Sequence, residues 1–236
     1  MPTDVDLPAQ PGAEDILLTF HGVGNPPPAV DRAERDFWWD ERPFLLALDK
    51  ILADEGKCPC AVLLTFDDGN ASDLEIALPA LLARGMTASF FVCAGRVGAP
   101  GYLDALAIRR LLSAGMRIGS HGMNHVDWRR IDDSELQVEV TDARHRLEDI
   151  CGTRIDEVSI PFGSYDRRVL AKLRSEDYRH VYTSGGGTAR HDAWLKPRNT
   201  LNCSWQETNV LQELAGRESY LGKLRRALGE RYKALL

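Results

Sequence analysis

The sequence predicts a single-domain α/β protein built on parallel strands, and three observations lead to this class. Short apolar and β-branched segments alternate with longer segments of helical periodicity along the chain. The stretch "LLARGMTASFFV" (81–92) indicates a helix ended by glycine and followed directly by a buried strand, and "LLSAGMRIGS" (111–120) repeats that pattern. A length of 236 residues suits one large α/β domain. Strands that alternate with helices favour right-handed crossovers, and hence a barrel or a doubly wound sheet.

The apolar segments predict the strands, and the periodic segments between them predict the helices. Strands are expected at 16–20, 61–66, 87–92, 117–119, 157–160, 180–183 and, with a weaker pattern, 195–201. Helices are expected at 42–54, 72–84, 104–114, 132–150 and 167–176. The fourth helix has an N-terminal capping signature, because Asp132 is followed three residues later by Glu135.

No linker divides the chain, so residues 1–236 are interpreted as one domain whose first 14 residues form a flexible segment. The final stretch "LGKLRRALGERYKALL" (221–236) predicts a basic amphipathic helix packed on the domain. The opening "MPTDVDLPAQPGAED" has neither the basic nor the apolar region of a secretory signal. No apolar run is long enough to cross a bilayer, so we expect a cytoplasmic protein with no membrane span.

Composition and charge narrow the classes of partner. The formal net charge of −6 disfavours binding to nucleic acid through a basic surface. A small-molecule or oligosaccharide substrate suits this balance better. The cysteines are dispersed and follow no zinc-site spacing, which is typical of a reduced protein: Cys58, Cys60, Cys93, Cys151 and Cys203.

Two adjacent carboxylates follow one of the predicted buried strands. In "VLLTFDDG" (62–69), Asp67 and Asp68 follow the apolar residues. The same "LLTF" precedes His21, after the first predicted strand. Neighbouring residues of a strand point to opposite sides, so the two carboxylates can take different tasks. One could bind a metal ion while the other stays free. Asp and Gly also form ordinary turns, and the pair becomes informative only with partners.

The partners lie in "GSHGMNH", where His121 and His125 are four residues apart after another predicted strand. This spacing can bring two imidazoles to one divalent ion. Two histidines and one carboxylate leave coordination positions open, which is typical of a catalytic metal site. Because active residues collect at the carboxyl ends of parallel strands, the histidines and the aspartate pair are expected to face one another.

"TFDDG", "SHGMNH" and "IPFGSYD" (160–166) resemble, in order and spacing, the leading motifs of the polysaccharide deacetylases, the NodB-homology group of carbohydrate esterase family 4. The resemblance implies a distorted (β/α)7 barrel that holds one divalent metal ion, usually zinc, with cobalt, nickel or manganese as alternatives. It implies that Asp67 is the general base, and that Asp68, His121 and His125 bind the metal.

The third motif matches the family in part. By resemblance, Pro161 and Phe162 belong to the substrate site, the Phe162 backbone N–H binds the oxyanion, and Phe162 with Tyr165 walls the sugar. The family's arginine that orients the base is replaced by Ser159. Arg198, after the last predicted strand in "LKPRNT", is a candidate substitute, or else an exposed arginine that caps that strand.

The family's late leucine-x-histidine motif has no convincing copy here. "LLTFHGVG" (17–24) instead resembles the opening strand of a branch with permuted motif order, which makes His21 the catalytic acid. The alternative is a buried, hydrogen-bonded histidine at a strand end. Trp38 and Trp39, in the following loop, line the substrate groove or pack in the core.

Together these residues favour a metal-dependent deacetylase that hydrolyses the N-acetyl or O-acetyl group of a sugar or glycan precursor. One alternative is a hydrolase of the same fold that cleaves a non-sugar C–N bond in a small cyclic amide. Another is an inactive glycan-binding protein, which the absent motif arginine at Ser159 would suit. A complete metal-ligand set with Asp67 favours the enzyme, because drifted sites usually lose ligands.

Overall fold

The computed structural model describes residues 14–28, 30, 32–54 and 60–202. They form one α/β domain around a nearly closed, barrel-shaped sheet, which confirms the fold class predicted from the sequence. The predicted helix at 221–236, and all but the last residue of the predicted N-terminal segment 1–14, lie outside the described residues. None of the described helices combines the length and apolarity that crossing a bilayer requires.

The strands and helices follow the predicted order, and most bounds shift by one or two residues. The strands are β1 (Glu14–Phe20), β2 (Ala61–Asp68), β3 (Ala88–Val92), β4 (Arg117–Ser120), β5 (Glu157–Ser159), β6 (His180–Thr183), β7 (Thr188–Arg190), β8 (Leu195–Pro197) and β9 (Asn199–Thr200). The helices are α1 (Arg32–Arg35), α2 (Glu41–Asp54), α3 (Leu78–Leu82), α4 (Ala105–Ser113), α5 (Asp133–Gln137), α6 (Ala143–Cys151) and α7 (Arg167–Ser175). π-helical turns at Asp73–Ala77 and Val138–Asp142 lead into α3 and α6.

The segment 195–200 closes the barrel. Strands β1 to β6 pair in sequence order and in parallel, and β8 continues the sheet beyond β6. One residue later β9 pairs in parallel with β1. The stretch that the sequence predicted as a weak strand therefore joins the two edges of the sheet and forms the seventh stave (strand position) of the barrel. Arg198 lies where the chain changes its pairing partner from β6 to β1. A covered edge also removes the unpaired backbone groups that invite aggregation.

The repeated "LLTF" forms adjacent staves in exact alignment. Leu17 pairs with Leu63 and Phe20 with Phe66. Phe20 and Phe66 stack at 5.4 Å on the side that faces the helices. Thr19 and Thr65 share a buried hydrogen bond of 2.9 Å between their hydroxyls. Since side chains alternate along a strand, the residues two positions beyond these threonines, 21 and 67, emerge on the same side of the barrel rim.

Strand β7 was not predicted from the sequence. It pairs antiparallel with the first residues of β1 and has only three residues, "TAR", after a glycine-rich loop. Three residues are too few for an alternating apolar pattern, so pairing with β1 rather than local propensity defines this strand.

Gly119 allows β4 to pass close to the aromatic filling of the barrel. A Cβ added there would lie 2.4 Å from the Phe91 ring and 3.0 Å from the Glu157 carbonyl oxygen. We expect Gly119→Ala to lower the free energy of unfolding by about 1–3 kcal/mol, because the neighbours must move. Urea denaturation measures this change. Gly85→Asn is the control, since its side chain would enter open space and Asn tolerates the left-handed backbone there. Equal midpoints for Gly119→Ala and the wild type would contradict the prediction.

Candidate active site

The candidate catalytic and metal-binding side chains lie together at the carboxyl ends of the parallel strands. Asp67 and Asp68 are the last two residues of β2, and His121 directly follows β4. Ser159 ends β5, and Arg198 stands between β8 and β9. Residues far apart in sequence therefore meet at one rim of the barrel, as expected for residues at the carboxyl ends of parallel strands.

Asp68, His121 and His125 form a cluster suited to one metal ion. One potential ligand atom from each residue lies within 4.8 Å of the others. The Asp68 Oδ1 atom is 3.4 Å from His125 Nε2 and 3.8 Å from His121 Nε2. This oxygen is buried and accepts no hydrogen bond from the described residues. A buried carboxylate oxygen aimed at two imidazole nitrogens fits a divalent cation, and the donor set suits zinc.

Hydrogen bonds on the far side of each ring direct the Nε2 atoms toward Asp68. His121 Nδ1 donates to the Ser159 backbone carbonyl at 2.8 Å. His125 Nδ1 lies 3.2 Å from a carboxylate oxygen of Glu34. In each ring the proton on Nδ1 leaves the Nε2 lone pair available as a ligand.

The surroundings of the two histidines shift their pKa values in opposite directions. Burial lowers the pKa of His121 to about 4, against the opposing charge of Asp67, so the ring is neutral near pH 7. For His125, burial also acts to lower the pKa, but the hydrogen bond to Glu34 and the charge of Asp68 raise it overall. The hydrogen bond from His125 is the largest cause that lowers the pKa of Glu34, to about 2.

Backbone strain concentrates at this rim. Asp68, His125 and Phe162 have φ angles of 80°, 55° and 59°, in the left-handed region that non-glycine residues seldom occupy. Such conformations persist only where the surrounding structure holds them, and they cluster at functional sites.

Glu139 holds the loop that carries the histidines. Its buried carboxylate accepts hydrogen bonds from the backbone N–H groups of Met123 and Asn124, both at 2.9 Å. The Asn124 amide and the Trp128 indole N–H also donate to it, at 2.9 and 3.3 Å. The sequence did not predict this role for Glu139, because an acid inside an amphipathic helical segment is typical of a solvated face. The π-helical turn at Val138–Asp142 contains it.

Arg198 binds both oxygens of Asp67. Its Nη1 and Nη2 atoms donate to Oδ1 and Oδ2 at 2.8 and 2.6 Å. Nη2 also donates to the Ser159 hydroxyl at 2.6 Å, and that hydroxyl is 3.3 Å from Asp67 Oδ2. Arg198 is 1% exposed, so it is a buried partner of Asp67 and not an exposed cap of its strand.

This ion pair keeps Asp67 charged. Burial alone would raise the pKa of its carboxyl group, but the charge and the hydrogen bonds of Arg198 hold it well below its usual range. His21 contributes in the same direction. Asp67 is therefore a carboxylate at neutral pH, and it lies beside the Asp68–His121–His125 cluster.

His21 follows β1 beside the strand that carries Asp67. Its ring stacks on Phe37 with centroids 5.2 Å apart. Its buried Nδ1 atom has no hydrogen-bond partner among the described residues. Among the described residues, no hydrogen bond to Nδ1 supports the alternative of a structural histidine at a strand end.

The third motif divides between the rim and the core. Phe162 is 63% exposed, and its ring centroid lies 4.6 Å from that of His125. Pro161 is buried at the start of a short 3₁₀ turn. Tyr165 is 2% exposed and packs with Trp128 and other core residues, so the structure places it beneath the rim rather than beside a substrate.

Trp38 and Trp39 are core residues in this structure. Trp39 is 1% exposed, packs edge-on against Phe20, and donates from its indole N–H to the Leu201 carbonyl at 3.4 Å. Trp38 is buried over Gly22, where a Cβ would come within 2.0 Å of the indole. Of the two interpretations of the sequence, core packing is the one that the geometry supports.

A family model for polysaccharide deacetylase matches residues 54–181, more than half of the chain. The chain therefore belongs to the polysaccharide deacetylase family, as the motif resemblance indicated. The chitooligosaccharide deacetylase of Bradyrhizobium sp. (strain ANU 289) is 31% identical over 113 residues, 47% of this chain and 50% of that protein. YxkH of Bacillus subtilis (strain 168) is 26% identical over 152 residues, 64% of this chain and 53% of that protein. The chain spans about half the length of these relatives.

Solved deacetylase structures share the fold. Streptococcus pyogenes deacetylase PplD, in complex with acetate, aligns with a TM-score of 0.75 at 18% identity, covering 86% of this chain and 99% of that one. IcaB from Ammonifex degensii aligns with a TM-score of 0.71 at 20% identity, covering 83% and 94% of the two chains. These similarities confirm the predicted deacetylase-type barrel.

Asp73 is a further buried acid close to the site. It is 0% exposed, and neither carboxylate oxygen has a hydrogen-bond partner among the described residues. Burial raises the pKa of this group well above its usual value, and the charges of Asp68 and Asp67 add to the effect. The nearby Asn70 backbone opposes it only weakly. In the metal-free protein, burial therefore favours the protonated form of Asp73 over a wider range of pH than for an exposed aspartate.

We expect Asp73→Asn to stabilise the metal-free protein, with a benefit that grows as pH rises. Below about pH 3.9 both folded and unfolded states are protonated. Between that pH and the raised pKa of the folded state, the unfolded carboxyl is ionised while the folded one keeps its proton, which costs up to about 1.4 kcal/mol of stability per pH unit. Urea denaturation with chelator from pH 4 to 8 tests this, with the exposed neighbour variant Glu75→Gln as control. A pH-independent difference would refute it.

Proposed function

We propose that this chain is a metal-dependent deacetylase that hydrolyses the N-acetyl or O-acetyl group of a sugar or glycan precursor. The observation that carries the proposal is a buried, charged Asp67, fixed by Arg198, beside the Asp68–His121–His125 cluster. Membership of the polysaccharide deacetylase family supports the reaction class. The relative named chitooligosaccharide deacetylase supports a glycan substrate.

Asp68, His121 and His125 would hold the metal ion, with zinc as the first choice and cobalt, nickel or manganese as alternatives. When bound, such an ion polarises an acyl oxygen and lowers the pKa of water toward about 7. The neutral His121 ring and the two Nε2 atoms that face Asp68 support this assignment.

Asp67 would take the proton of the attacking water on a carboxylate oxygen. Its low pKa keeps that oxygen unprotonated across the neutral range, and Arg198 with Ser159 fixes the orientation of the group. Arg198 would thus do what the family's motif arginine does from the position that Ser159 occupies here. A fixed base removes part of the entropic barrier to proton transfer.

The exposed Phe162, beside His125, would form the substrate-facing side. Its backbone N–H would donate to the negative charge that develops on the acyl oxygen, and its ring would contact the sugar. His21 would protonate the leaving amine or hydroxyl. Two observations support that role: His21 lies beside the Asp67 strand, and its Nδ1 atom has no hydrogen-bond partner among the described residues.

Hydrolysis of defined substrates tests the proposed function, measured as acetate release from the acetylated sugars and as loss of the substrate for the cyclic amides. The panel contains N-acetyl sugars, nucleotide-linked and lipid-linked acetylated sugars, and small cyclic amides, each with and without added zinc or cobalt. Metal-dependent acetate release from a sugar supports the proposal. Turnover of the cyclic amides alone would replace it with the hydrolase of a non-sugar C–N bond, and metal binding without any turnover would indicate a glycan-binding protein.

His21→Ala and His125→Ala should separate proton transfer from metal binding. We expect His21→Ala to lower turnover by roughly 10²–10⁴-fold while zinc stays bound, because only the acid is lost. His125→Ala removes a ligand and should abolish both activity and zinc binding. Acetate release and the zinc content of purified protein measure the two effects. Full activity of His21→Ala would exclude it as the acid.

Arg198→Gln should move the acidic limb of the pH–rate profile to higher pH. Arg198 holds the pKa of Asp67 below its usual range, so its loss lets the base become protonated at a pH where the wild-type base is still charged. The profile of kcat/KM against pH measures the shift. The exposed-pair variant Arg190→Gln serves as the control. An unmoved limb in a folded Arg198→Gln protein would contradict the assignment of Asp67 as base.

A further inference from the structure

Glu34 reaches the candidate metal cluster from a part of the chain outside the family motifs. It lies in the short helix α1, between β1 and α2, in a sequence "DRAERDF" that gave no functional signal. Its side chain is 19% exposed and turns toward the rim. Glu34 therefore brings a negative charge from the segment after β1 to a cluster formed at the ends of β2 and β4.

The contacts of Glu34 join three loops. Its Oε1 atom lies 3.2 Å from His125 Nδ1 and accepts a hydrogen bond from Arg96 Nη2 at 3.1 Å. Arg96 stacks over the Tyr102 ring at 5.1 Å, and its Nη1 atom is 3.5 Å from Asp68 Oδ1. Glu34 is therefore held in place by a cation that also touches the carboxylate of the cluster.

The Nδ1 atoms of the two histidines contact different kinds of partner. His121 is directed by a backbone carbonyl, which is fixed by strand β5. His125 has only the Glu34 carboxylate at its Nδ1 atom among the contacts of the described residues. A carboxylate behind a ligating imidazole fixes the ring and its tautomer and raises the basicity of the other nitrogen. Loss of such a partner typically costs 10–100-fold in metal affinity.

We propose that Glu34 is a positioning residue of the metal centre, which orients His125 and strengthens its Nε2 atom as a ligand. This inference rests on the proposed metal site. Arg96 supports it by holding the Glu34 carboxylate from the opposite side. A salt bridge that merely joined two loops would change stability and leave metal affinity as it was.

Direct metal titration tests this role without any assay of activity. Zinc affinity is measured by competition with a chromophoric chelator, and the visible spectrum of the cobalt-loaded protein reports the ligand geometry. We expect Glu34→Ala to weaken zinc binding by roughly 10–100-fold and to alter the cobalt spectrum. Glu34→Gln keeps an acceptor oxygen and should fall between Glu34→Ala and the wild type. Asp36→Asn removes an exposed charge two residues away and should match the wild type.

The outcomes separate this inference from the proposed function. Zinc affinity within twofold of the wild type in both Glu34 variants would overturn the positioning role, even if the urea midpoint of Glu34→Ala falls. In that case the wild-type affinity and the proposed function would stand. A wild-type protein that binds neither zinc nor cobalt would overturn both.

Discussion

The buried ion pair between Asp67 and Arg198 is the interaction on which the rest of the structure depends. A carboxylate at the end of an internal strand is stable only with a matching charge, and the guanidinium that supplies it lies on the last stave of the barrel. The same residue stands where the chain changes its partner from β6 to β1. One residue therefore lies at the closure of the sheet and also carries the charge that balances the candidate base.

Around this pair, the rim separates two carboxylates that are adjacent in sequence. Asp67 is satisfied by Arg198 and Ser159, whereas Asp68 turns away through a left-handed backbone and presents an oxygen to two histidines. Neighbouring acids would repel one another if they shared one environment. Separate partners, a fixed guanidinium for Asp67 and two imidazoles for Asp68, give the two adjacent carboxyl groups different environments.

The sequence predicted what depends on strand ends and missed what depends on which face of a helix is buried. Asp68, His121 and His125 could be found because parallel strands end at one rim, and Arg198 because it follows a strand candidate. Glu34 and Glu139 could not, since a single acid in a helical segment has the pattern of a solvated face. Tyr165 was expected beside the substrate but packs in the core, because a motif does not encode the direction of a turn.

The pairing of β9 with β1 also sets the order in which the protein can be completed. Leu18 pairs with Asn199, so the ring joins residues from opposite ends of the described chain. Contacts of such long sequence separation form slowly, because a large loop must be closed before they are gained. During synthesis from the N-terminus, Asp67 exists long before Arg198 does. Asp67 can therefore gain its guanidinium partner only after the last strands of the barrel have been synthesised.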